Sequence, residues 1–202
     1  MFQSPPVLLA PFNPPLGPQP ASYRVYCPEQ VTLVLREKVF SFSGDDFLIQ
    51  STEGMSVCKC KGKAISLHAK KRFTDMQDNE IFTLSNKLMN VLMSFRGESP
   101  DGQADFEIRG HFQVIGSRST VHFRNAADGQ QIELEVKGNW IERKAQITLN
   151  GRPVAMIQRS FMNARQVFGN AQTYYVTVAA NVDLSMIAAA CIALDDREKG
   201  KR

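Results

Sequence analysis

The chain has 202 residues, of which 43% are hydrophobic and 22% charged, with a formal net charge of +4. This is an ordinary globular composition, long enough to bury a full core in one domain without disulfide or metal staples. The positive balance would help approach to an anionic surface, but it falls short of the strongly basic, aromatic-studded stripe of a nucleic-acid binder, so no nucleic acid is expected.

Residues 1–22 are compositionally separate: Pro5, Pro6, Pro11, Pro14, Pro15, Pro18 and Pro20 fall there, out of ten prolines in the chain. The segment is predicted to be an extended, polyproline-like tail, packed in part along the domain by Val7, Leu8, Leu9 and Phe12. Pro11-Phe12-Asn13-Pro14 and Pro15-Leu16-Gly17-Pro18 both fit a PxxP pattern, but a packed tail is preferred over a dedicated ligand for SH3 or WW domains. With no basic region and with prolines breaking its apolar residues, the N-terminus reads as a poor signal peptide.

From Tyr23 the chain turns to short strands. Phe106, Ile108, Phe112 and Val114 alternate with polar residues, as do Ile132, Leu134 and Val136, and Tyr174, Val176 and Val178. Period-two alternation predicts strands with one buried face. Thr52-Glu53-Gly54, Asp78-Asn79, Asp101-Gly102, Asp128-Gly129 and Asn150-Gly151 supply turns, using the residue types that tolerate hairpin backbone angles. Phe47 to Val57, Val121 to Leu134 and Ala145 to Ala155 each read as strand, turn, strand, hence as successive hairpins of one sheet.

The last element has another character. Leu184 to Leu194 is alanine-rich, interrupted only by Ser185, and has no strand period. It predicts a helix over 183–194, capped by Asn181 or Asp183, after which Asp195-Asp196-Arg197 should return to water. At about 16 Å the apolar run cannot cross a hydrocarbon layer of about 30 Å. A helix apolar on every side must be surrounded. The predicted fold is therefore all-β with one buried helix: a closed antiparallel barrel around the hydrophobic C-terminal segment.

Three blocks in order carry a family resemblance. Tyr174, Val176, Val178, Val182 and Asp183 lead into a run that ends at Leu194 and Asp195. Arg36 to Phe47 forms a second block, and Val136-Lys137-Gly138-Asn139-Trp140 forms a third corner. Over residues 23–197 the chain resembles the LURP-one-related proteins of the tubby-like superfamily. The resemblance implies a closed barrel of roughly a dozen strands with the C-terminal helix through its centre. It also implies kinship with tubby domains, which bind phosphoinositides, and with phospholipid scramblases. No lipid-ligand motif carries over residue by residue. The domain division it suggests is a tail at 1–22, a barrel at 23–197 and a charged tail at 198–202.

Catalytic signatures are lacking: no nucleophile elbow, phosphate loop or dinucleotide glycine pattern appears. His68, His111 and His122 are separated in sequence and read as solvated strand-face residues. Asp45-Asp46 and Asp195-Asp196 read as solvated pairs. Cys58 and Cys60 should share the inner face of a strand, Cys191 should behave as a small hydrophobe, and no CxxC pair exists. No metal, no cofactor and no enzyme activity are expected, and a reducing compartment is favoured: cytoplasm, nucleus or the edge of a membrane. The surface feature that stands out is basic. Lys59, Lys61, Lys63, Lys70, Lys71 and Arg72 fall within fourteen residues and are the candidate ligand-binding set. The expected role is a binding or scaffold domain for anionic lipid headgroups such as phosphoinositides, or for a protein partner. The alternatives are a scramblase-like or small-molecule enzyme activity, and a nucleic-acid-associated regulator.

Overall fold

A computed structural model describes residues 7–37, 46–62, 70–87, 94–111, 117–139, 144–158 and 173–199. Twelve strands run in chain order: β1 (Val31–Glu37), β2 (Phe47–Ser51), β3 (Ser56–Gly62), β4 (Lys71–Thr74), β5 (Glu80–Lys87), β6 (Ser94–Glu98), β7 (Phe106–His111), β8 (Ser117–Arg124), β9 (Gln131–Asn139), β10 (Lys144–Leu149), β11 (Arg152–Gln158) and β12 (Thr173–Val178). Each pairs antiparallel with its neighbours in sequence, and β1 pairs with β12 to close the barrel, with Leu33 opposite Val176. Among the described strands, closure leaves no free edge for another chain to extend. All three hairpins expected from the sequence form, β2–β3, β8–β9 and β10–β11. Their turns use the backbone that the residue types allow: Gly54, Gly129, Asn150 and Gly151 all have positive φ.

The inner faces follow strand alternation. Leu33, Leu35, Ile49, Phe73, Leu134, Ile147 and Val176 are fully buried, and Phe82 stacks on Phe73 and meets Phe106 edge-on. Gly138 on β9 lies where a Cβ would overlap the Lys144 carbonyl and Ala145 of the opposing β10. A side chain there would push the two strands apart.

One helix, α1 (Leu184–Lys199), runs through this interior. Every residue from Val182 to Ala193 is at most 2% exposed, on all sides of the helix. A helix buried all round is enclosed rather than docked on a surface. It is longer than the sequence suggested, and Asp195-Asp196-Arg197 does not return to water. Asp195 and Arg197 are buried, Arg197 Nη1 donates to Ser119 Oγ at 2.6 Å, and Lys71 Nζ lies 3.1 Å from Asp196 Oδ2. Polar partners on the barrel wall let charged residues continue the helix where an apolar run alone would have ended it. The helix reaches Lys199, inside the segment read as a charged tail, and residues 200–202 lie outside those described.

The proline-rich segment closes the barrel end at which α1 begins. Phe12 and Leu16 are buried, whereas Leu8 is 85% exposed. Phe12 N–H donates to the Ala180 carbonyl and Leu16 N–H to that of Asn181, while Asp183 N–H donates back to Leu16. Arg152 stacks over the Phe12 ring and donates to the Ala10 and Pro11 carbonyls. Gly17 sits against the helix start, where a Cβ would overlap that of Asp183. Both PxxP runs are thus laid across the barrel mouth, and Leu16 and Pro18 are buried there.

Candidate functional site

At the helix start, Asp183 Oδ1 accepts from Ser185 N–H (3.0 Å), Met186 N–H (3.1 Å) and Ser185 Oγ (2.6 Å). It is the N-cap that the sequence left open between two residues. Burial raises its carboxyl to about 6, against the hydrogen bonds from Ser185, Met186 and Gln19 that favour the charge. Nearby, burial and then the Cys60 and Asp183 charges push the Cys58 thiol well above its ordinary value. Cys58, Cys60 and Cys191 are fully buried thiols outside any disulfide, inert as nucleophiles or metal ligands in that state. These groups are buried in the fold.

On the outer wall, strand register brings together two histidines that sequence spacing kept apart. His111 Nε2 and His122 Nε2 lie 2.9 and 2.8 Å from the Thr120 hydroxyl, and His122 Nδ1 is 3.6 Å from Glu133 Oε2. A hydroxyl, an imidazole and a carboxylate in series are the parts of an activated nucleophile. Thr120 is only 2% exposed, however, so a substrate carbon cannot approach its oxygen. Among the described residues no three His, Cys, Asp or Glu side chains could hold a metal ion. His68 and Asp45 lie outside the described residues. Asp46 is not part of a solvated pair, because its Oδ1 accepts from Gly62 N–H at 3.0 Å.

The basic stretch separates by strand face. Phe73 must face the core, so Lys71, two residues earlier on β4, faces inward with it, and Arg72 faces out. Lys71 is 2% exposed and pairs with Asp196. It clamps the helix from inside and has to be removed from the surface set. Lys59 and Lys61 on β3 and Arg72 on β4 share the outer face, with Lys61 directly opposite Arg72. Lys70 is exposed at the head of β4, and Lys63 lies outside the described residues. The turn after β4 supplies counter-charge: Asp78 Oδ1 is 3.1 Å from Lys59 Nζ and 3.8 Å from Lys61 Nζ. Arg72 Nε pairs with Glu80 at 2.8 Å. The Lys59 hydrogen bond, with the Lys59 and Lys61 charges, holds the Asp78 carboxyl below the usual range. Opposed cations on adjacent strands repel, and these two carboxylates make the juxtaposition tolerable.

The arrangement as a whole is a closed barrel whose interior is filled by its own helix. The model of the family described as LURP-one-related matches residues 31–195, and the chain belongs to that family. It is similar to Protein LURP-one-related 15 of Arabidopsis thaliana, 26% identical over 186 residues, covering 88% of this chain and 85% of that protein. It is also similar to Protein LURP1 of the same plant, 25% identical over 181 residues, covering 86% and 87%. An Arabidopsis thaliana protein solved by X-ray crystallography superposes with a TM-score of 0.55 at 20% identity, covering 86% of this chain and 94% of that one. That likeness bears on the fold alone. No helix among the described residues is long and apolar enough to cross a membrane.

Proposed function

We propose that this chain is a non-catalytic binding domain that offers the outer face of β3 and β4 to an anionic phospholipid surface inside the cell. The observation that carries the reading is the alignment of Lys59, Lys61 and Arg72 on one outer face, with Lys70 exposed at the head of β4, while α1 fills the interior that another barrel would use for a ligand. The ion pairs to Asp78 and Glu80 are exposed, and such pairs contribute about 0–1 kcal/mol, so a dense anionic surface can compete with them. Each basic side chain near such a surface is worth about 1 kcal/mol. Four together correspond to roughly millimolar binding. The buried thiols outside any disulfide fit a reducing compartment.

Sedimentation with vesicles tests the reading. The full chain is expected to sediment with vesicles of phosphatidylserine in phosphatidylcholine and to stay in solution with phosphatidylcholine alone. Added salt should release it, since screening acts within about 8 Å at physiological ionic strength. Lys59→Gln, Lys61→Gln and Lys70→Gln combined should abolish sedimentation with little change in melting temperature, because none of the three side chains is buried and no new carboxylate is set beside Asp78. Equal binding to neutral vesicles, or by the triple variant, overturns the assignment.

A further inference from the structure

A second concavity lies at the capped barrel end, next to Lys59 at the edge of the basic face, and neither the family nor the proposed lipid surface accounts for it. It is a pocket of about 520 Å³ between the turn at residues 22–25 and the β2–β3 and β4–β5 turns. That volume falls within the range of small-molecule sites, about 300–1,000 Å³. Its floor is apolar: Val25, Val57 and Ile81 contribute, each at most 6% exposed. Tyr23 and Met76 form parts of its walls, and Met76 is 37% exposed although it is a large apolar side chain.

Two charges of opposite sign line the same pocket. Arg24 is exposed and, among the described residues, its side chain makes no ion pair or hydrogen bond. Among the described residues, Arg72, Arg96, Arg109 and Arg118 each hold a carboxylate. Asp75 is instead fixed, accepting from Gln77 N–H at 2.9 Å, Asn79 N–H at 2.8 Å and Asn79 Nδ2 at 2.8 Å. Desolvation opposes its charge, but the Asn79 and Gln77 hydrogen bonds and the Lys59 charge prevail and hold the carboxyl low. The pocket therefore offers one unsatisfied guanidinium fork, suited to bidentate capture of a carboxylate, above an apolar floor. The fixed carboxylate disfavours a second negative charge and can accept an N–H or O–H from the ligand.

We infer that this pocket is a binding site for a singly charged amphipathic organic acid, whose carboxylate meets Arg24, whose apolar body covers Val25, Val57 and Ile81, and whose N–H or O–H faces Asp75. A doubly charged phosphate monoester fits this site poorly, because Asp75 opposes a second negative charge, whereas the β3 and β4 face is proposed to meet an extended anionic surface. The two sites are thus separable.

The test is titration of the full-length, isotope-labelled chain by amide NMR with three probes: N-acetyl-L-tryptophan, its uncharged primary amide, and 1-naphthyl phosphate. The acid is expected to give saturable shifts confined to residues 22–25, 56–57, 75–77 and 81. Loss of one charge-assisted contact should weaken the amide by about tenfold or more. Arg24→Gln should reduce the acid to the amide's affinity, and Arg24→Lys should fall between. Arg24 is exposed, so both variants are expected to melt as the parent does. The inference is overturned if the acid gives no saturable shift, if the amide binds equally, if the naphthyl phosphate binds more tightly than the acid, or if Arg24→Gln leaves the affinity unchanged. Vesicle sedimentation is unaffected by any of these results, so failure here and failure of the lipid reading are distinguishable.

Discussion

Ala189→Asp is expected to abolish soluble, folded protein. Ala189 is fully buried, with Ala188, Ala190, Met186 and Ile192 likewise at most 1% exposed around it. A carboxylate there would sit among apolar groups with nothing to hydrogen-bond it, a cost of several kcal/mol. The added volume would also force the wall away from the helix, adding roughly 1–3 kcal/mol. Domains of this size are stable by only about 5–15 kcal/mol. The wild-type site needs nothing of the kind, because the alanines let the barrel wall approach the helix closely. Expression followed by thermal melting checks it. A variant that melts at the wild-type temperature would show that α1 is not enclosed.

Asp183→Ala should lower the melting temperature by about 10 °C. The substitution removes the acceptor for two buried helix-start N–H groups and for Gln19 N–H at 3.4 Å. Losing an N-cap costs about 0.5–2 kcal/mol, and each buried donor left unpaired about 1–3 kcal/mol more. At this chain length each kcal/mol moves the midpoint by about 2–4 °C. Asp183→Asn keeps the Oδ1 acceptor and removes the ionisation. Unfolded, the carboxyl titrates near 3.8, and in the folded barrel burial raises it to about 6. The folded state therefore holds a proton that the unfolded state releases. That contribution is fully present below about pH 4 and is lost as pH rises through 6, reaching about 3 kcal/mol. Melting curves should show Asp183→Asn matching the parent near pH 4 and exceeding it at pH 7. A constant difference across that interval contradicts a buried, titrating cap.

Much of this fold was legible because it rests on local rules. The glycine and asparagine turns declare themselves by residue type, and the apolar run before Asp195 has no strand period and nowhere to go but inward. The resemblance of the Tyr174, Val176 and Val178 strand and the run behind it pointed the same way, and the family match bears it out. What escaped depends on partners distant in sequence. Asp195 and Arg197 looked like solvated residues because Lys71 and Ser119, which meet the helix end, lie far from them along the chain. Lys71 was counted with the surface cations by proximity in sequence, although the phase set by Phe73 could have turned it inward. The proline-rich segment advertised an extended backbone, but not that Phe12 and Leu16 would hydrogen-bond to the residues just before α1. The pocket beside Arg24 joins residues from four separate stretches, and no local motif announces it.

The outer face of β3 and β4 is proposed to meet an anionic membrane surface. Amide hydrogen exchange of the full chain, with and without phosphatidylserine-containing vesicles, tests it most directly. The prediction is added protection at residues 59–61 and 70–72, reversed by salt, with the capped end around residues 150–151 unchanged. Protection confined to the capped end, or none on β3 and β4 under conditions where the protein sediments with the vesicles, would contradict the account.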